Sequence, residues 1–97
     1  MSVIRMIFVT VPPDMSARAV ENWKAECAPL MIRQPGCRSE KLLRSSDDPG
    51  GFISYSEWDS EESIKRYLAS ADHQEIKRHN RNISGADVSV KHFTPVD

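Results

Sequence analysis

Val3-Ile4-Arg5-Met6-Ile7-Phe8-Val9-Thr10-Val11 decides how the rest of the chain reads. Seven of these nine residues are apolar, β-branched side chains dominate, and Pro12-Pro13 follows at once. A short apolar run rich in Val and Ile reads as a strand, and prolines supply no N–H to continue a ladder. Successive side chains of a strand point to opposite faces. Val3, Ile7, Val9 and Val11 therefore share one face, and Ile4, Met6 and Phe8 share the other. A strand with one wet face alternates apolar and polar residues. This one does not, so both faces need cover.

Outward from that strand, residues 16–34 read as a helix. Ser16 suits its N-cap, and Val20, Trp23, Cys27, Leu30 and Met31 form one apolar face. Pro29 removes a backbone donor and crowds the preceding turn, which predicts a kink near Glu26–Ala28. Pro35-Gly36 stops the helix. Strands are expected over Cys37–Arg44 and Phe52–Asp59, joined by a polar loop rich in Ser, Asp and Gly. Asp59 with Glu62, and Asp72 with Glu75, look like capping boxes opening two further helices. The first buries Ile64, Tyr67 and Leu68, and the second puts Ile76, His79 and Ile83 on one face. Ala86–Thr94 reads as the last strand, with Val88, Val90 and His92 on one side.

The order β-α-β-β-α(α)-β predicts an α+β, ferredoxin-like fold: a four-stranded antiparallel sheet with helices on one face. Those helices cover one side of the first strand. The chain has no spare element for the other side, so a second copy is the natural cover. This predicts a homodimer with its sheets packed face to face around a barrel-like core.

With 97 residues the chain is expected to form a single domain over 1–97. Thirteen Lys and Arg against fourteen Asp and Glu give a net charge of -1, which excludes the basic footprint of a nucleic-acid binder. Cys27 and Cys37 form no metal-binding or redox motif and read as reduced, packed thiols. The N-terminal residues lack the pattern of a signal peptide, and no stretch matches the ~20 apolar residues of a membrane span. A cytoplasmic protein, with no membrane or nucleic-acid partner, is the expectation.

Three segments carry a resemblance. They are Gln34-Pro35-Gly36 with the strand after it, Phe52–Trp58 running into Asp59-Ser60-Glu61-Glu62, and Tyr67-Leu68-Ala69-Ser70-Ala71-Asp72-His73. Together they resemble the antibiotic biosynthesis monooxygenase (ABM) domain, with its Pro-Gly before strand 2, its Trp at the end of strand 3 and its Leu-x-Ser-x-x-His between two helices. The resemblance implies a dimeric α+β barrel. It also implies a small monooxygenase that oxidises a phenol, a quinol or a polyketide-like aromatic with dioxygen, using neither metal nor flavin. The alternatives on the same scaffold are a non-enzymatic ligand-binding or stress-response protein and an isomerase. Haem-degrading relatives carry an Asn on strand 1, a Trp on the second helix and a His on the third. Here those positions hold Ile7 and Tyr67, and His79 lies a residue or two away.

His79 and Arg78 are the candidate catalytic residues: a proton acceptor on the inward face of the last helix, and a cation for an oxygen anion. A packed histidine and a solvated basic last turn are the alternatives. Tyr55, Trp58, Tyr67, Trp23 and His92 are candidates to line a substrate pocket, or else plain core and interface packing. His73 reads as a capping or packing residue. No two histidines stand at i, i+4, so no metal site is expected.

Overall fold

The computed structural model describes residues 2–96. Four strands form one antiparallel sheet in the order β2-β3-β1-β4, with β1 at Val3–Thr10, β2 at Cys37–Arg44, β3 at Gly51–Trp58 and β4 at Asp87–Phe93. All the helices lie against one face. This is the predicted ferredoxin-like α+β arrangement.

The register of β1 divides the sheet. Val3, Arg5, Ile7 and Val9 pair with Trp58, Ser56, Ser54 and Phe52 of β3. Those four β3 residues are all buried, so this is the helix-covered face. Ile4, Met6 and Phe8 point the other way beside Tyr55 and Ile53, and are only half-buried. The same bare face carries Leu43 of β2 and Phe93 of β4, both exposed.

The first helical stretch is built from α1 (Ser16–Asn22), a π-helical turn (Trp23–Cys27) and α2 (Ala28–Ile32). The kink expected from Pro29 is realised by that π turn, in which the Ala28 N–H reaches back to the Trp23 carbonyl. Ala19, Trp23, Cys27 and Met31 all face the sheet across one cavity. Their spacing of four would drift around a straight α-helix by about 40° per step. Three α-helical turns hold about 10.8 residues, and the residue inserted by the π turn brings this close to twelve. The row therefore stays aligned. Val20, expected in this row, is not among the residues bordering the cavity.

Three predicted caps differ. Ser16 lies inside its helix, which starts from a 3-10 turn over Pro13–Met15, and its hydroxyl donates to the Pro49 carbonyl instead. Ser60, not Asp59, caps α3 (Glu61–Leu68) by accepting from the Ser63 N–H. Ser70, not Asp72, caps α4 (Ala71–Asn80) by accepting from the His73 N–H. Both serines have the extended backbone an N-cap needs. The two aspartates work nearby: Asp59 accepts from Ser63 Oγ at 2.5 Å, and Asp72 takes Arg33 Nη2 at 2.7 Å. Val3, Cys27, Met31, Trp58, Ile64, Tyr67 and Ile76 make the main core, which sits beneath α3 and α4. Among the described residues no helix is long and apolar enough to cross a membrane.

Candidate active site

A cavity of about 300 Å³ lies between the sheet and the helices. That is the lower end of the range for small-molecule sites. Ile7, Val9, Phe52, Met31 and Ile76 give it an apolar body. It opens along β4, where Val88 and Val90 remain 60% and 46% exposed. Trp23 crosses one wall, its indole N–H donating to Ser54 Oγ at 3.0 Å.

Three polar groups of the cavity, Arg5, Tyr67 and His73, stand together. Arg5 is 6% exposed, and its guanidinium carbon stands 5.9 Å from the centre of the Tyr67 ring. Tyr67 in turn meets His73 edge-on, with ring centres 5.0 Å apart. Lys77 and Asn80 continue the same helix face. Burial lowers the Arg5 pKa and raises that of Tyr67 far enough to keep the phenol protonated. Burial, and then the nearby Arg5 charge, lower the pKa of His73 below its ordinary 6.5. His73 is therefore neutral at pH 7. Its Nδ1 faces the Leu68 carbonyl at 3.2 Å. A carbonyl only accepts, so that partner assigns the proton to Nδ1 and the lone pair to Nε2.

His79 does not border this cavity. Successive helical residues turn by about 100°, so His79 lies about 60° to one side of Ile76, while Asn80 and His73 lie about 40° and 60° to the other. His73, Ile76, Lys77 and Asn80 make the inner row. His79 instead sits outside, its Nε2 at 3.2 Å from Glu26 and 3.3 Å from Glu75, which clasps α4 to the π turn. Arg78 is exposed and paired with Glu75. The expected inward placement of these two residues is thus corrected by the rotation of α4.

Of the five lining candidates, Trp23 and Tyr67 border the cavity. Trp58 is fully buried in the core, stacked on Tyr67 at 5.2 Å, with its N–H on Ser56 Oγ at 2.8 Å. Tyr55 lies on the bare face of the sheet beneath Lys41. His92 is on the helix side, but its Nδ1 is held by Glu61 at 2.8 Å. Arg5 is a lining residue that no motif of the sequence marks, although the alternation of β1 puts it on the face of Val3, Ile7 and Val9. Asn22, Cys27 and Asn80 form a small polar clasp at the cavity edge, with Asn22 Nδ2 on Asn80 Oδ1 at 3.0 Å. Burial pushes the Cys27 thiol up to about 11, so it is a neutral donor and no nucleophile. Among the described residues no three His, Cys, Asp or Glu side chains converge as metal ligands.

The sequence profile of the antibiotic biosynthesis monooxygenases matches residues 2–79. The chain belongs to this family. Solved structures agree in fold. A Bordetella bronchiseptica protein provisionally named an antibiotic biosynthesis monooxygenase superposes with a TM-score of 0.86 at 23% identity, covering 98% of this chain and 97% of its own. SnoaB, a cofactor-independent oxygenase from Streptomyces nogalater, superposes with a TM-score of 0.78 at 19% identity, covering 99% and 94%. Rv0793 from Mycobacterium tuberculosis gives 0.81 at 20% identity, covering 100% and 97%. No curated protein matches the sequence. At these identities the ABM relatives carry the fold and leave the reaction to be argued from the cavity.

Proposed function

We propose that this ABM protein is a cofactor-independent monooxygenase acting on a small electron-rich aromatic compound. The observation carrying this reading is His73, a neutral imidazole with a free Nε2 lone pair, bordering an otherwise apolar cavity. A phenol or an activated methylene bound there loses a proton to Nε2, and the resulting carbanion or phenolate is a strong enough reductant to meet dioxygen directly. For a methylene between aromatic rings the balance is simple. One oxygen atom becomes the ketone, the other leaves as water, and all four electrons come from the substrate. The protein's part is to orient the ring, accept the proton and keep water away from the anion.

The reading includes a homodimer, working as one domain per chain in the cytoplasm. Ile4, Met6, Phe8, Leu43 and Phe93 form an apolar face that nothing among the described residues covers. Two free cysteines suit a reducing compartment.

Oxygen consumption with a panel of hydroquinones, naphthols and anthrone-type compounds is the test. His73→Asn is expected to lower kcat roughly 100-fold or more. In the wild type kcat/KM falls on the acid side below pH 6.5, the ordinary histidine value, because protonated His73 accepts nothing. No oxygen uptake across the panel, or an undiminished His73→Asn enzyme, refutes the proposal.

A further inference from the structure

We propose that the cavity is a receptor for an organic monoanion, a flat apolar body with one acidic oxygen, and that Arg5 is its counter-ion. The inference rests on the cavity being the substrate site, but not on the oxygen step. Arg5 is 6% exposed, and its Nε and Nη1 are buried without a hydrogen-bond partner. A guanidinium stays charged even where burial lowers its pKa, so this is an unneutralised cation at a cavity wall.

Its neighbours on the sheet are already engaged. Ser56 Oγ takes the Trp58 N–H at 2.8 Å, and His92 is turned to Glu61 at 2.8 Å. On the same face the register puts Glu40 two strands from Arg5, with about 10 Å between their backbones, and no hydrogen bond joins them: Glu40 Oε2 is likewise buried without a partner. Glu40 is itself pushed up to about 7 by burial, so a large share of it is protonated at neutral pH. Among the described residues no Asp or Glu borders the cavity, whereas Arg5 and Lys77 both do. The neutral His73 and the protonated Tyr67 add no negative charge. A desolvated positive end inside apolar walls selects for negative charge on an apolar ligand. It selects against neutral hydrocarbons, which leave the cation uncompensated, and against polyanions, which the apolar body cannot solvate.

The probe is 4-nitrophenol, which ionises near neutral pH and whose anion is yellow, titrated without oxygen. Saturating protein is expected to lower its apparent pKa, with the anion bound roughly 10- to 100-fold more tightly than the neutral phenol. Arg5→Met, checked as folded by circular dichroism, loses that preference while still binding the neutral phenol. Arg5→Lys, which keeps the charge, retains part of it. Equal affinity for the two forms, no binding of either form, or an intact preference in Arg5→Met overturns the inference. A protein that binds the anion through Arg5 but consumes no oxygen with any aromatic refutes the monooxygenase reading alone.

Discussion

Replacing Arg5 by Met should make the free protein more stable. The side chain is 6% exposed, and two of its nitrogens lack any partner. Each unsatisfied buried donor costs about 1–3 kcal/mol. Methionine is unbranched and flexible, fills much of the same space and carries no donor. Two losses oppose the gain. The cation lies 5.9 Å from the Tyr67 ring centre, worth about 0.5–2 kcal/mol. Imperfect filling of the vacated volume costs up to about 1.5 kcal/mol. At mid-range values about 4 kcal/mol of relieved desolvation stands against about 2 kcal/mol of losses, a net stabilisation of about 2 kcal/mol. For a domain of this length each kcal/mol moves Tm by about 4–8 °C, so a rise of at least ~4 °C is expected. Calorimetry at matched protein concentration reads it, and urea unfolding with an unchanged slope confirms that the native state alone has moved. A bound anion should narrow the gap, because it raises the wild type by mass action more than it raises the variant, which binds it more weakly. A fall in Tm for Arg5→Met would show that the guanidinium is paired in solution, and would refute the reasoning.

Three further outcomes are expected. Glu40 has an ordinary pKa of 4.5 and is raised to about 7 by burial, so the folded state holds its proton longer than the unfolded chain. Its contribution to stability is full below pH 4.5 and is lost as pH climbs through 7, so Glu40→Gln should flatten that decline and melt higher than wild type at pH 8. Gly36 sits at φ +91°, and a Cβ there would meet Ser63 Oγ and Asp59 Oδ1, so Gly36→Ala should cost about 1–3 kcal/mol in urea unfolding. Phe8→Asp puts a charge at the centre of the bare face; light scattering should report a dimer for wild type and a monomer for the variant, and a wild-type monomer sinks the dimer proposal.

The fold was legible because its signals are periodic. The double-sided apolar pattern of β1 and the aromatic-rich segment Phe52–Trp58 each read as a strand, and Pro29 requires a break in the first helix. The caps were misread because Ser60 and Ser70 stand directly beside or near aspartates, and composition does not say which oxygen has the extended backbone. The site was legible only in part. Trp23 and Tyr67 follow from apolar helix faces. Spacing favours His79 over His73 because Ile76, His79 and Ile83 look like one stripe, yet α4 ends at Asn80 and its inner row is centred between Ile76 and Lys77. A rotation of that size is fixed by packing against the π turn, not by the spacing within α4. Arg5 was readable from alternation alone, but a lone charge in an apolar strand suggests solvent until the register denies it any.

Arg5 and the two histidines of α4 show how the fold separates binding from bracing. His79 has carboxylates at 3.2 and 3.3 Å, one from each side of the helix junction, and spends its hydrogen bonding on holding α4 in place. His73, on the opposite flank, spends one nitrogen on the Leu68 carbonyl and keeps the other. The same economy fails at Arg5, where no acceptor of the sheet reaches Nε or Nη1 and the nearest helix contact is the Tyr67 ring. A buried charge without a partner works against folding, and an apolar residue at position 5 would complete the inward row of Val3, Ile7 and Val9 at lower cost. Ile7 and Val9 of that row border the cavity with Arg5, and what Arg5 lacks is what an anionic ligand carries. The cost is therefore best understood as part of a binding equilibrium: the free protein holds the guanidinium desolvated, and the ligand supplies the missing acceptor without first having to strip it of water.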